Sequence, residues 1–383
     1  MHIFRAEKKA ENPPQKTIKV LQIISGDLWA GAEAMAYQLL SGISKEKNID
    51  LFVLLLNQGK LLQKCYLEGI KTYLINEDTN SFLKIFYKSI KLSIKIKPDI
   101  IHAHRYKENV LASMIQPFCG MPILISTQHG RIETEGKSSY VQRLKRTVSY
   151  ACLNWRFNSI VAVSNDTRNF LLMQQKVNEK HIKCIPNGIN FNHYSSTKKN
   201  IHTGNIRIGS AGRLFPVKNY LQMVDIAKQV CEYRDNVEFL LAGDGPEEDA
   251  IKDRIICCGI EKHFKLLGHL NDMKTFYKDI DIYVNMSLHE GSPMTILEAM
   301  ASGKPVLAFH QAGLKEIITN GFDGYTVPEK DINLYVSKII QLIDDPEMIV
   351  KMGKDARKKI ENKYDSKQMT RKYISLYQEM IKI

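Results

Sequence analysis

The sequence predicts an α/β chain made of two doubly wound parallel sheets that face each other. Three observations carry this. The chain has 383 residues, too many for one ordinary core. Short apolar, β-branched runs alternate with helical segments, the pattern of a parallel sheet. That alternation occurs as two series, separated at residues 181–205, where apolar periodicity gives way to Ser, Thr, Asn and Lys. The expected organisation is a polar leader over 1–17, an N-terminal domain over 18–190, a linker over 191–205, a C-terminal domain over 206–362 and a final helical segment over 363–383.

The first series opens with IKVLQIIS (18–25), an apolar run suited to a buried parallel strand. A small-residue loop, GDLWAGAE, follows, then the helical AMAYQLLSGI. LFVLLLN (51–57) is a second strand, and FLKIFYKSIKLSIKIKP is a basic helix ending at Pro98. DIIHAH (99–104), ILISTQHG (123–130) and SIVAVSN (159–165) are short strands, each running into a polar turn. The second series comprises IRIGSAGRL (206–214), VEFLLAGDG (237–245), FKLLGHL (264–270), IYVNMS (282–287) and PVLAF (305–309), and the chain ends in a charged amphipathic helix near 365–381. Open sheets of this kind bind ligands outside the carboxyl ends of their strands, so the chemistry is expected just after them.

Composition narrows the class. At 44% hydrophobic and 25% charged residues the chain reads as a soluble globular protein. No apolar run reaches the ~18 residues of a membrane span, and the N-terminus lacks the apolar core of a signal peptide. The seven cysteines form no C-x-x-C pair, so neither a zinc site nor a disulfide framework is indicated, and a reducing cytoplasm fits. Charge is uneven. Residues 1–200 hold 29 Lys and Arg against 15 Asp and Glu, whereas the remainder holds 25 against 26. The first half therefore suits an anionic partner. Lys84, Lys88, Lys91, Lys95 and Lys97 alternate with apolar residues, as on a helix lying on an anionic leaflet or on an ordinary solvated face. Arg143, Lys145, Arg146 and Arg156 add to the same domain. No nucleic-acid motif accompanies the charge, so nucleic acid is not an expected partner.

Several constellations fall after strands. In LHEGSPMTILEAM, Ser292 is the expected helix cap and Pro293 the first helical residue. The N–H groups of Met294 and Thr295 then sit at a positive helix end, open to an anion or a sugar hydroxyl. Glu290 precedes that end and Glu298 leans back toward it. Two such acids can bind sugar hydroxyls or do acid–base work; acids also simply favour helix N-termini. In GSAGRLFPVKNY, Arg213 and Lys218 could pinch a diphosphate, a fork and a point charge, or could be two solvated loop cations. GDLWAGAEAM is neither G-x-G-x-x-G nor a P-loop; it allows close backbone approach to a phosphate or sugar, or a packing turn. His102 and His104 spell H-x-H, but no third ligand is spaced to complete a metal site. His102 reads as a hydrogen-bonded structural residue, and His129 as placed for a hydroxyl contact. Asp279-Ile-Asp281 spells D-x-D but lies at the start of a strand, where a solvated turn is expected.

The ordered set of these segments resembles the retaining, GT-B-fold glycosyltransferases called group 1 or family 4. Beside the E-x7-E of Glu290 and Glu298 stand the N-terminal glycine loop, H-x-H, T-Q-H-G, A-V-S-N, I-P-N-G-I, G-R-L-x5-N, L-A-G-D-G-P and L-G-H-L, over about residues 18 to 375. The resemblance implies a C-terminal helix that crosses back to the N-terminal domain. It implies that Glu298 binds the nucleotide ribose, that Glu290 contacts the transferred sugar, and that Ser292, Pro293, Met294 and Thr295 assist at the helix end. Arg213 and Lys218 would hold the diphosphate, with Gly212 in the same donor set and Gly31 near the phosphates. Gly268 would line the base pocket, and His129 would touch the sugar. Two departures occur: Ala30-Gly31 replaces a Gly-Gly pair, and Q-A-G-L-K-E, with Ala312, Gly313 and Glu316, replaces a second one.

The resemblance therefore implies a cytoplasmic hexosyltransferase. It would use a nucleotide-diphosphate sugar, UDP favoured and GDP possible, and a glycan or lipid-linked acceptor of surface polysaccharide or glycolipid. It would work without metal or other cofactor. The basic first half separately allows peripheral contact with an anionic membrane. Two other classes share the architecture. A nucleotide-sugar epimerase would need no acceptor, and a silent binding protein would neither hydrolyse nor transfer.

Overall fold

The computed structural model describes residues 17–27, 29–130, 140–195, 205–311 and 313–382, with only the backbone described for 140–146 and 149. The side chains of Arg143, Lys145 and Arg146, the residue Ala312 and most of the leader and linker thus lie outside the described residues.

Seven strands build the first sheet: β1 (Ile18–Ile24), β2 (Ile49–Leu55), β3 (Lys71–Leu74), β4 (Ile100–Ala103), β5 (Ile123–Gln128), β6 (Ser159–Ala162) and β7 (Ile182–Cys184). Six build the second: β8 (Ile206–Ala211), β9 (Val237–Ala242), β10 (Phe264–Gly268), β11 (Ile282–Asn285), β12 (Val306–Phe309) and β13 (Gly324–Val327). The orders are β3-β2-β1-β4-β5-β6-β7 and β10-β9-β8-β11-β12-β13. Every pairing is parallel. The two doubly wound sheets are those expected from the alternation. The switch points, where strand order reverses, fall between β1 and β4 and between β8 and β11, so these carboxyl ends are where ligand crevices form.

Burial explains why the strands read as continuous apolar runs. Helices cover both faces, and Val20, Ile23, Ile100 and Ile125 are fully buried. On one face of the first sheet, helices Gly31–Ile43 and Ser366–Lys382 pack together, and their core continues through Met294, Leu297 and Met300 of the second domain. The last helix thus crosses back onto the N-terminal sheet, where Tyr377 and Tyr373 bond to His102 and Thr127. A separate cluster, including Leu21, Ile101, Leu124 and Leu153, fills the other face under the helices after β3, β4 and β5.

That second face carries the basic segment. On helix Phe82–Ile96, Lys84, Lys88, Lys91 and Lys95 are exposed in one row. Beside them Leu83 is 75%, Tyr87 58% and Ile94 50% exposed. Among the described residues no helix is long and apolar enough to cross a membrane.

Candidate active site

The site grows from the loops at the second switch point. After β8, Gly212 comes so close to the neighbouring loop that a Cβ on Gly243 would lie 1.8 Å from the Gly212 carbonyl oxygen. Gly243 in turn donates its N–H to the carbonyl of Gly268 at 2.8 Å, so the ends of β8, β9 and β10 form one surface. Arg213 is half-buried, its guanidinium 4.8 Å from the Phe215 ring centroid. The chain then turns through Pro216–Lys218. Leu288 donates its N–H to the carbonyl of Val217 at 2.8 Å, which lashes the loop after β11 to this turn.

That lashing puts Lys218 against Glu290. Lys218 Nζ lies 2.6 Å from Glu290 Oε1, and both side chains are largely buried, at 19% and 10% exposure. Asn285 Nδ2 approaches the same oxygen at 3.5 Å. Burial pushes the Glu290 carboxyl up, but the Lys218 ammonium, with Ser287 and Asn285, more than offsets it and holds the group below its ordinary range. Glu290 is thus a buried carboxylate, and Lys218 a cation with further N–H donors to offer.

The helix that follows is Met294–Ala301, and its cap is Pro293, in extended conformation. The expected cap at Ser292 and first turn at Pro293 are therefore each one residue early. Proline has no N–H to bond but fixes φ, so it serves at the boundary itself, and its carbonyl accepts from the Leu297 N–H. Ser292 instead gives its carbonyl to Asn187 Nδ2 at 2.8 Å, a bond from the other domain. The helix end is unchanged in character: its first N–H groups have no intrahelical partner. Glu298 accepts from the Tyr277 hydroxyl at 2.9 Å. Burial raises its carboxyl to about 7, against hydrogen bonds from Tyr277 and Tyr194 that lower it.

The first domain supplies the opposite wall. A Cβ on Gly31 would lie 3.9 Å from Met294 Cγ, and one on Gly291 would lie 2.5 Å from the carbonyl oxygen of His129. Only glycine at 291 permits that approach. His129 follows β5, with Nε2 3.2 Å from His104 Nδ1. His102 is hydrogen-bonded at both ring nitrogens, to Tyr377 and to Thr127, the structural role its sequence context indicates.

Asp281 departs from expectation. It is 4% exposed rather than solvated, and its Oδ2 accepts the backbone N–H of Arg207 at 2.9 Å. The D-x-D pins the amino end of β11 to that of β8, away from the carboxyl-end cleft.

Two further acids here carry only a weak signal in the sequence. Glu33, 1% exposed, pairs with Arg105 at 2.6 Å, and burial raises its carboxyl to about 7 against that attraction. An acid inside an apolar helix start was the available signal. Glu316, noted only as a departure, accepts from the Asn165 N–H at 2.8 Å and from its side chain at 3.0 Å, tying the two domains together.

Two facing Rossmann-like sheets, with glycine loops, two cations and two acids at the carboxyl ends of the second, define the GT-B architecture of nucleotide-sugar enzymes. Residues 29–193 match Glycosyltransferase Family 4, and residues 194–359 match Glycosyl transferases group 1. The chain belongs to this family, and it is a glycosyltransferase. It is 26% identical over 321 residues, 80% of each chain, to the Escherichia coli UDP-Gal:alpha-D-GlcNAc-diphosphoundecaprenol alpha-1,3-galactosyltransferase. It is 25% identical to the Staphylococcus aureus capsular polysaccharide biosynthesis glycosyltransferase CapM, over 88% of this chain and 92% of that one. Among solved structures, Anabaena HepE in complex with UDP and glucose superposes with a TM-score of 0.83 at 19% identity, covering 94% of this chain and all of the other.

Proposed function

We propose that this glycosyltransferase is retaining and metal-independent, moving a hexose-type sugar from a UDP-sugar to a lipid-linked or glycan acceptor of surface polysaccharide. The observation that carries the reading is the buried Lys218–Glu290 pair, made by the loop that also holds Arg213 and the loop that leads into the helix at Met294. Departure of the nucleoside diphosphate puts negative charge on its terminal phosphate. Lys218, Arg213 and the helix-end N–H groups are preorganised to receive that charge, the role a metal plays elsewhere. The acceptor hydroxyl attacks C1 from the face the diphosphate leaves; the C1–O bond to phosphate breaks, and the hydroxyl proton passes to the departing phosphate. Glu290 is reserved for the sugar and Glu298 for the ribose diol, whose two hydroxyls one carboxylate can accept. Gly31, Gly212 and Gly268 let backbone approach the donor.

The donor and acceptor classes follow from the relatives' names, UDP-galactose and a diphosphoundecaprenol-linked sugar in one and a capsular polysaccharide in another. A lipid-linked acceptor gives the exposed Leu83–Tyr87–Ile94 stripe and its lysines a use: peripheral contact with an anionic inner leaflet. A thermal-shift screen against UDP, GDP, ADP and their sugars tests the donor class, since a ligand of the folded state raises the melting temperature. Label transfer from the stabilising donor to a lipid-diphosphate-linked sugar then separates transferase from epimerase and silent binder. A donor-only product points to the epimerase, and binding without reaction to the silent protein.

A further inference from the structure

A chain of buried side chains runs from the last helix to the cleft. Tyr373 Oη lies 2.9 Å from Thr127 Oγ1, which lies 2.8 Å from His102 Nε2. His102 Nδ1 lies 2.7 Å from Tyr377 Oη, which accepts from Gln22 Nε2 at 2.9 Å. Gln22 Oε1 lies 2.7 Å from His104 Nε2, and His104 Nδ1 lies 3.2 Å from His129 Nε2. Gln22, His102, Thr127, Tyr373 and Tyr377 are all fully buried. The chain stops at His129 Nδ1, a buried atom with no hydrogen-bond partner among the described residues.

A neutral imidazole donates at one nitrogen and accepts at the other, so a hydrogen-bond direction set at one point propagates. Burial holds all three rings neutral. It drives His104 down to about 3, with Arg105 helping, and His102 and His129 well below their ordinary value. Gln22 Oε1 can only accept. His104 therefore carries its proton on Nε2 and leaves Nδ1 bare, and His129 carries its proton on Nε2 and also leaves Nδ1 bare. In the other direction Gln22 donates to Tyr377, Tyr377 to His102 Nδ1, His102 Nε2–H to Thr127, and Thr127 to Tyr373. One amide thus sets three tautomers. Turning it over would invert all three into the Nδ1–H form, the less favoured one for neutral histidine in water. It would also strand an N–H at His129, and buried N–H groups without acceptors are rarer than unpaired acceptors.

We propose that Gln22, His104 and Tyr377 are positioning residues that hold His129 as its Nε2–H tautomer, leaving Nδ1 bare to accept a hydrogen bond from a hydroxyl of the bound sugar. Only the final clause rests on the donor-site reading above; the tautomer does not. The C-terminal helix, through one phenol, thereby determines which hydrogen-bonding role a cleft residue plays.

The test is a long-range 1H–15N correlation spectrum of 15N-histidine-labelled wild-type protein, with His129 assigned by its loss in His129→Gln. The expected spectrum shows a bare Nδ1 and a protonated Nε2 at His129 and His104. A protonated Nδ1 at His129 overturns the proposal without any variant being needed. In Tyr377→Phe the amide loses its anchor, and the His104 and His129 signals are expected to divide between the two tautomers, with turnover about two- to tenfold lower, the usual worth of one neutral hydrogen bond. Unmoved tautomers in a folded Tyr377→Phe protein remove the last helix from the account; Gln22→Met serves if that variant does not fold. Saturating UDP-sugar, its binding followed by calorimetry, is expected to shift the His129 Nδ1 resonance. Binding with no shift overturns the sugar contact, whereas absence of binding counts against the donor class instead.

Discussion

Lys218 Nζ and Glu290 Oε1, 72 residues apart in sequence, meet at 2.6 Å in a largely buried ion pair at the base of the cleft. Removing one partner of such a pair strands the other charge and typically costs about 3–5 kcal/mol. Lys218→Ala should therefore lower the melting temperature as well as lose about 10²–10³ in kcat, the usual loss for one charge-stabilising donor. Arg213, half-buried against Phe215 rather than in this largely buried pair, should show the kinetic loss with a smaller fall in melting temperature. Steady-state kinetics beside thermal denaturation separates the two. Near-normal turnover in a folded Arg213→Ala enzyme would remove Arg213 from the site.

The proposed contact of Glu298 with the ribose makes nucleotide binding depend on pH. Its folded carboxyl, raised to about 7, lies above its ordinary 4.5. Its contribution to folding stability is thus fully present below the lower value and is lost as pH rises through the higher one. A ribose diol needs the carboxylate, so binding must expel the proton. Nucleotide affinity should fall about tenfold per pH unit below pH 7, with proton release visible as a buffer-dependent heat. Glu298→Gln should flatten that profile.

Asp281 accepts a backbone N–H at the amino end of β11, remote from the strand ends that form the cleft. Transfer should survive excess EDTA, and Asp281→Asn should keep donor affinity while melting lower. An absolute need for Mg²⁺ or Mn²⁺ that disappears with this substitution would overturn the charge-stabilisation mechanism.

The exposed face of helix Phe82–Ile96 should bind anionic vesicles at low salt, release them at high salt and ignore neutral ones. Each basic residue near such a leaflet contributes about 1 kcal/mol, screened by salt. Replacing Lys84, Lys88, Lys91 and Lys95 with Gln should weaken co-sedimentation and leave donor binding alone. If wild-type protein ignores anionic vesicles at low salt, a soluble acceptor becomes the better reading.

Much of this was legible in the chain. Runs such as VEFLLAGDG announce a buried strand and the glycine turn after it, because both faces of a parallel sheet are covered. KTYL and IKC at the sheet edges, and GYTV before the closing helices, carry no continuous apolar strand signature in the sequence. The first two are short and half polar, and pairing rather than composition makes them strands. Glu290 and Lys218 could be singled out separately, but their contact depends on the Leu288–Val217 bond between two loops. Gln22, a lone amide in IKVLQIIS, was the visible sign of the buried histidine chain; its partner Tyr377 lies 355 residues later and only the fold joins them.

The central claim is that Glu298 grips the nucleotide and Glu290 the sugar. Calorimetric titration of Glu298→Gln and Glu290→Gln with free UDP and with intact UDP-sugar, beside a turnover assay, tests it most directly. Glu298→Gln should weaken both ligands, since both carry the ribose. Glu290→Gln should leave free UDP nearly unchanged and reduce turnover, because its contact matters at the reacting sugar. Equal loss of UDP and UDP-sugar affinity in Glu290→Gln, or two variants that only melt lower and bind and turn over normally, would contradict the account.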